Sequence, residues 1–174
     1  MGKKLKWGIL STAAINDVVI EALRAAKRSE LIAVASRDAS RARAYADARG
    51  IRKAHGSYGA LLSDPDVEAV YVSVPNALHG EWAARAAEAG KHVLCEKPLV
   101  TNLEDFARVE SAARRSGVVL FEAFMYLHHP QTRMLKELVE SGRIGPLLLI
   151  DSWFDYYLPD EDADNIRLDR GLHG

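Results

Sequence analysis

The sequence has little cysteine, few aromatic residues and no long apolar run. A single cysteine, Cys95, among 174 residues excludes an internal disulfide and cannot by itself form a cysteine-rich metal site. No stretch of ~18 apolar residues is present to span a bilayer. The start "MGKKLKWGILS" lacks the longer apolar segment of a signal peptide, and Lys6 stands where a myristoylation signal has Ser or Thr. These absences predict a cytoplasmic protein with no membrane partner.

The chain also has no excess of positive charge. Lys and Arg together number 23 and Asp and Glu number 24, so the formal net charge is -1. Proteins that bind nucleic acids normally carry a basic excess or a basic stripe, so we expect no nucleic-acid partner. Hydrophobic residues make up 48% of the chain, which is enough for one compact domain and part of a second.

Short apolar segments alternate with amphipathic ones over the first 124 residues. The segments predicted as strands are 5–10, 31–36, 67–75, 92–96 and 118–124. The segments predicted as helices are 14–26, 38–50, a short one from Tyr58 that an Asp64-Pro65 turn closes, 76–90 and 102–117. Nearly continuous apolar strands indicate a parallel sheet covered on both faces. Right-handed crossovers then predict an α/β, doubly wound Rossmann fold with its ligand crevice at the carboxyl ends of the strands.

The pattern changes after residue 124. A loop and helix over 125–142 precede a long aromatic strand predicted at 146–159, and residues 160–174 are polar and loop-like. One helix and one strand cannot bury their apolar faces alone. We therefore predict a Rossmann domain over 1–123 and the start of an incomplete α+β second domain over 124–174. Little or no turnover is expected from these 174 residues, and the apolar stretch 147–157 is expected to be exposed and to promote association.

The turn after the first predicted strand lacks the glycines of a G-x-G-x-x-G motif. Ser11, Ala13 and Asn16 occupy the three glycine positions. Small side chains hinder close approach of a pyrophosphate without forbidding it, and the following helix still offers free N–H groups. On these residues alone, a dinucleotide site and a plain strand-to-helix turn remain equally open.

The second predicted strand ends in Ser36-Arg37, where an NAD-specific site usually has Asp or Glu for the ribose 2′-hydroxyl. A guanidinium can fork onto a 2′-phosphate, and Arg41 lies one helical turn further on. This pattern favours NADP over NAD, although an exposed arginine on a loop is the simpler alternative.

The next two strand ends carry further candidate residues. In "VSVPNALHG", Pro75 ends the strand, Asn76 is the predicted helix cap, and His79 lies in the first turn, where a histidine is more often structural. In "HVLCEKPLV", a charged Glu-Lys pair directly follows an apolar strand, and either a solvated turn or a proton-transfer group fits that pattern. The adjacent pair His128-His129 lacks carboxylate partners at ligand spacing, so we predict no metal site.

The segments "CEKP", "VPNALH" and "YGALLSDPDVEAVYVSVPN" together resemble the Gfo/Idh/MocA family of NAD(P)-dependent oxidoreductases. The resemblance covers essentially the whole chain, and the Glu-Lys-Pro run is its most specific element. The segments "WGILSTAAIN", "ASRD" and "EAFMY" look most similar to NADP-dependent sugar dehydrogenases and dimeric dihydrodiol dehydrogenases. That branch tolerates Ser-Thr-Ala in the turn, so the resemblance implies that the chain binds a dinucleotide.

The resemblance also implies roles for individual residues. Lys97 matches the catalytic lysine that hydrogen-bonds the reacting hydroxyl of a sugar or diol substrate, and Glu96 and Pro98 would hold it beside the nicotinamide. The residues expected to bind NADP, with NAD as the second possibility, are Ser11, Thr12, Ala13, Ala14, Ile15, Ser36, Arg37, Arg41, Pro75, Asn76, His79, Glu96, Lys97 and Pro98. A homo-oligomer is expected once the second domain is complete. The alternatives are a non-catalytic dinucleotide-binding regulator and a Rossmann scaffold for protein contacts.

Overall fold

The computed structural model describes residues 2–155, 157 and 168–173. Its sheet has six strands, all paired in parallel, in the order β3-β2-β1-β4-β5-β6. The strands are β1 Leu5–Leu10, β2 Ser29–Ala35, β3 Lys53–His55, β4 Ala69–Val72, β5 His92–Cys95 and β6 Leu120–Glu122. This topology confirms the predicted doubly wound Rossmann fold.

In the described residues, six α-helices accompany these strands. They are α1 Asn16–Ala25, α2 Ala39–Ala48, α3 Tyr58–Leu62, α4 His79–Glu88, α5 Leu103–Ser116 and α6 Pro130–Glu140. Short 3₁₀ turns lie at Asn76–Leu78, Met125–His128 and Arg170–Leu172. Asp38 caps α2 as predicted, since its carboxylate accepts a hydrogen bond from the backbone N–H of Arg41 at 2.7 Å. Among the described residues, no helix combines the length and apolar character needed to cross a membrane.

The helices cover both faces of the sheet because successive strand side chains point to opposite faces. On one face Leu10 packs in a cluster with Leu61 of α3 and Val109 of α5. On the other face Ile9 packs with Ile20 of α1 and Ala46 of α2. β4 is buried along its whole length, and β1 and β2 are buried toward their carboxyl ends. In folds of this kind the ligand crevice lies just beyond those carboxyl ends.

Two strand predictions differ from the structure. β3 was missed because it has only three residues, too few to show a periodic pattern. The long strand predicted over 146–159 is wrong for residues 146–155 and 157, which form no strand, while 156, 158 and 159 lie outside the described residues. A strand needs a hydrogen-bonded neighbour, and none pairs with this stretch in the part of the chain that is described.

The predicted exposure of the apolar stretch is confirmed. Leu148, Trp153 and Phe154 are 93%, 80% and 88% exposed. The association expected from this surface stays a prediction, as does the start of a second domain at residue 124.

Candidate functional site

Polar residues follow four of the parallel strands at the point where each strand ends. Ser11 follows β1, Ser36 follows β2, Ser73 follows β4 and Glu96 follows β5, and all four are buried. Parallel strands bring their carboxyl ends to one edge of the sheet, and the strand order reverses between β1 and β4. In doubly wound folds the ligand crevice lies at this reversal.

Ser11 replaces the first glycine of the motif in a conformation that usually requires glycine. Its φ angle is 132°, in the region that L-residues other than glycine rarely adopt. Two contacts across the crevice hold it there: its Oγ lies 2.8 Å from Ser73 Oγ and donates to the Ser73 carbonyl at 3.0 Å. The same Oγ accepts from the backbone N–H of Ala13 at 3.1 Å. Side-chain hydrogen bonds therefore hold Ser11 in a backbone conformation that glycine adopts more readily.

Asn16 takes the third glycine position and completes this network. Its side chain is fully buried, Nδ2 donates to the Ser11 carbonyl at 3.0 Å, and Oδ1 accepts from Ser73 Oγ at 2.6 Å. The amide therefore ties the start of α1 to the ends of β1 and β4. Sequence reasoning missed Ser73, although a lone serine in the apolar run "VYVSVP" was a usable signal.

We predict that Asn16→Ala lowers the free energy of unfolding by about 2–4 kcal/mol. The change leaves the Ser11 carbonyl buried without its side-chain donor, which costs about 1–3 kcal/mol, and removes the shortest hydrogen bond of the Ser73 hydroxyl, which costs about 0.5–1.5 kcal/mol more. Urea unfolding followed by far-UV circular dichroism measures the loss. Asn102→Ala is the control, because Asn102 caps α5 at an exposed position and its removal should cost only about 1 kcal/mol. Equal losses for the two variants would contradict the network.

The start of α1 offers backbone donors beside this turn. Within the described residues, the N–H groups of Thr12, Ala14 and Ile15 have no acceptor, and α1 has no side-chain cap. Asp17 in the first helical turn is neutralised by Arg49, which donates to it at 2.6 and 3.0 Å and lowers the pKa of that carboxyl. The turn is therefore suited to an anionic group such as a pyrophosphate.

Two exposed arginines follow β2: Arg37 lies just after the strand and Arg41 in the first turn of α2. Neither Arg37 nor Arg41 forms an ion pair with any residue in the described ranges. Burial raises the pKa of the Tyr58 hydroxyl, and the positive charges of Arg37 and Arg41 oppose that rise, so both guanidinium groups lie near the same phenol. The nearest carboxylate in sequence, Asp38, is engaged as the cap of α2. Arg37 and Arg41 thus present two exposed guanidinium groups that form no ion pair within the described residues, although the charge of Arg41 contributes to lowering the pKa of Asp38.

Lys97 lies just after β5 and is exposed to solvent, whereas the preceding residue, Glu96, is buried. Glu96 is buried, and its carboxylate accepts from Tyr71 Oη at 2.6 Å and from the Lys97 backbone N–H at 3.3 Å. Burial and the neighbouring Glu96 carboxylate raise the pKa of Tyr71, so its hydroxyl remains a hydrogen-bond donor. The peptide bond between Lys97 and Pro98 is cis.

The loop after β4 differs from its prediction in two respects. Asn76 does not cap α4: it begins a 3₁₀ turn, and its Nδ2 donates to the His173 carbonyl at 2.7 Å. His79 is 1% exposed, with Nδ1 at 2.6 Å from the Pro98 carbonyl and Nε2 at 2.7 Å from the Val74 carbonyl. The direct cofactor contact expected of His79 has no ring nitrogen left to make it. Pro75 itself is half-buried at the start of this loop.

Comparisons with known proteins agree with this geometry. Residues 5–124 match the oxidoreductase family with the NAD-binding Rossmann fold known as Gfo/Idh/MocA. The D-xylose 1-dehydrogenase (NADP(+)) 2 of Haloferax volcanii is 47% identical over 171 residues, which are 98% of this chain and 52% of that protein. The trans-1,2-dihydrobenzene-1,2-diol dehydrogenase of Bos taurus is 36% identical over 152 residues, 86% of this chain and 45% of that protein.

A solved structure is similarly close. A 3-ketoreductase from Actinomadura kijaniata, crystallised with TDP-benzene and NADP, shares 41% identity with a TM-score of 0.75. The match covers 82% of this chain and 45% of that one. The chain therefore spans about half the length of the curated relatives and solved structures that it matches.

Proposed function

The chain belongs to the Gfo/Idh/MocA oxidoreductase family, which has the NAD-binding Rossmann fold, and from this premise we propose that it binds NADP and contributes Lys97 to hydride transfer. The substrate class is a sugar or a vicinal diol. The observation that carries the choice of NADP is the pair of exposed guanidinium groups of Arg37, just after β2, and Arg41, at the start of α2, which form no ion pair within the described residues. The adenosine ribose lies beside this strand end in such folds.

The residues present fit a dinucleotide along the whole edge of the sheet. The turn Ser11–Ile15 and the start of α1 would hold the pyrophosphate, and Ser36, Arg37 and Arg41 would hold the 2′-phosphate. The nicotinamide half would then lie across the strand reversal, toward the ends of β4 and β5. The residues that would line it are Pro75, Asn76, Glu96, Lys97 and Pro98.

When bound, the nicotinamide supplies the hydride acceptor or donor of the reaction. The chain's own contribution is the Lys97 side chain, which is exposed at the mouth of the crevice and has no carboxylate partner in the described part of the chain. Its amine can hydrogen-bond the substrate oxygen, accepting the hydroxyl proton in oxidation and returning it in reduction. Glu96 fixes the backbone of Lys97 through the hydrogen bond to its N–H.

The relatives support this substrate class and favour an oxidoreductase over a non-catalytic regulator. They are named for D-xylose, for a dihydrobenzene diol and for a 3-keto substrate. Each of these names describes a dehydrogenase or a ketoreductase. The cytoplasmic location and the homo-oligomer are proposals too. The exposed apolar residues Leu148, Trp153 and Phe154 support self-association, which light scattering tests.

Calorimetric titration of the chain with NADPH and NADH tests the proposal. We expect saturable binding of NADPH and weaker binding of NADH. Circular dichroism on the same sample shows whether the chain is folded. A folded chain that binds neither nucleotide would contradict the proposed function.

A further inference from the structure

Three consecutive residues, Lys97, Pro98 and Leu99, each have a backbone group held by an acidic or imidazole side chain. The Lys97 N–H donates to Glu96 Oε2 at 3.3 Å, and the Leu99 N–H donates to Glu122 Oε1 at 2.7 Å. Between them, the Pro98 carbonyl lies 2.6 Å from Nδ1 of His79. We name these three residues the lysine segment. The backbone of each of its residues is held by a side chain: Glu96 just after β5, His79 of α4 or Glu122 of β6.

His79 connects the lysine segment to the neighbouring strand end. It is the first residue of α4 and is 1% exposed, so no water replaces its hydrogen bonds. Its second ring nitrogen lies 2.7 Å from the carbonyl of Val74, which directly precedes Pro75. Each ring nitrogen is thus within hydrogen-bond distance of a backbone carbonyl on a different loop. The ring therefore fixes the distance between the loops after β4 and β5.

Glu122 holds the lysine segment from the other side. It ends β6, the strand that pairs with β5, and it forms no ion pair within the described ranges. Burial raises the pKa of Cys95, and the charges of Glu96 and Glu122 add to that rise, so both carboxylates flank the end of β5. Because Glu122 has no ion-pair partner in these ranges, its carboxylate is available to accept the Leu99 N–H.

We propose that His79 and Glu122 are positioning residues that set the placement of Lys97 relative to the nicotinamide half of the site. Neither contacts substrate or cofactor: each acts through the backbone of the lysine segment. The proposal rests on the proposed function for the cofactor. It predicts that loosening either residue affects the nicotinamide half of the crevice and leaves the adenosine half, at the ends of β1 and β2, unchanged.

Calorimetric titration with two nucleotides distinguishes an effect on the nicotinamide half of the crevice from an effect on the adenosine half. Adenosine 2′,5′-bisphosphate carries the adenosine and 2′-phosphate of NADPH and lacks the nicotinamide. We expect His79→Ala and Glu122→Ala to weaken NADPH binding about tenfold, the value of one hydrogen bond, while the bisphosphate binds within about twofold of the unchanged chain. Glu122→Gln keeps an acceptor for the Leu99 N–H and should restore NADPH binding.

A control variant is available on β5, the strand that precedes the lysine segment. His92 Nδ1 accepts from the Val119 N–H at 3.0 Å, at the opposite end of β5. His92→Gln should therefore leave both affinities unchanged. Equal weakening of NADPH and the bisphosphate by Glu122→Ala would show a general structural effect and overturn the proposal.

Amide hydrogen exchange of the unliganded chain separates this proposal from the proposed function. Glu122→Ala should speed exchange at Leu99, and both alanine variants should speed it at Lys97, by about tenfold each. Exchange at Lys97 that neither variant changes would overturn the positioning role, whether or not the chain binds nucleotide. Failure of the unchanged chain to bind NADPH or the bisphosphate, with the expected exchange pattern, would contradict the cofactor assignment alone.

Discussion

Replacing both Arg37 and Arg41 by alanine should weaken NADPH binding by at least about 100-fold and leave NADH binding within about twofold. A hydrogen bond to a charged group contributes about 1.5–3 kcal/mol, and about 1.4 kcal/mol corresponds to a tenfold change in affinity. NADH has a 2′-hydroxyl in place of the phosphate and gains little from either charge. Calorimetric titration of the double variant with each nucleotide measures the change in preference.

The control for this prediction lies on the same helix. Arg43 is exposed on α2 and donates to Asp47 at 3.0 Å, so its charge is already neutralised. Arg43→Ala should keep the preference for NADPH. If the double variant lost affinity for NADPH and NADH equally, the arginines would act on the shared part of the two cofactors, and the 2′-phosphate assignment would be wrong.

The sequence predicted the central fold because its strands carry local signals. β1, β4 and β5 are short, apolar and bounded by charged residues or turns, so a parallel sheet followed from pattern alone. The prediction over 146–159 did not hold for the described residues because an apolar aromatic run resembles a strand whether or not a partner strand is present. Pairing is a long-range property that a local pattern does not contain.

The candidate site shows the same difference between what local sequence patterns predict and what depends on long-range contacts. Strand ends are readable in the order of apolar segments, and that order alone places Ser11, Ser36 and Glu96 at one edge of the sheet. The hydrogen bonds among the strand ends are not readable in this way, since Ser11 and Ser73 are 62 residues apart in sequence and meet only across β1 and β4. His79 shows the limit most clearly. Its position in the first turn of a helix favoured a structural role and the family resemblance implied a crevice residue. Only the structure shows the ring buried between two backbone carbonyls of different loops.

The largest effect is expected from Lys97→Met, which should lower kcat about 10²–10⁴-fold, the contribution typical of a positioned acid or base. Methionine is unbranched and only one heavy atom shorter than lysine, and it cannot transfer a proton. A chimera supplies a complete substrate pocket: this chain replaces the matching part of the Haloferax volcanii dehydrogenase, to which it is 47% identical over 171 residues. Reduction of NADP by D-xylose, followed by absorbance, measures the rate.

The decrease in kcat must also be specific to proton transfer and not follow from weaker cofactor binding. NADPH affinity of the Lys97→Met chimera should stay within a few-fold, because the contacts proposed for the 2′-phosphate and the pyrophosphate lie on other strand ends. Lys27→Met removes an exposed lysine just after α1, away from the strand ends, and should leave kcat unchanged. A Lys97→Met chimera that retained full kcat would exclude Lys97 as the proton-transfer group. The family's chemistry would then have to be performed by a different residue of the crevice.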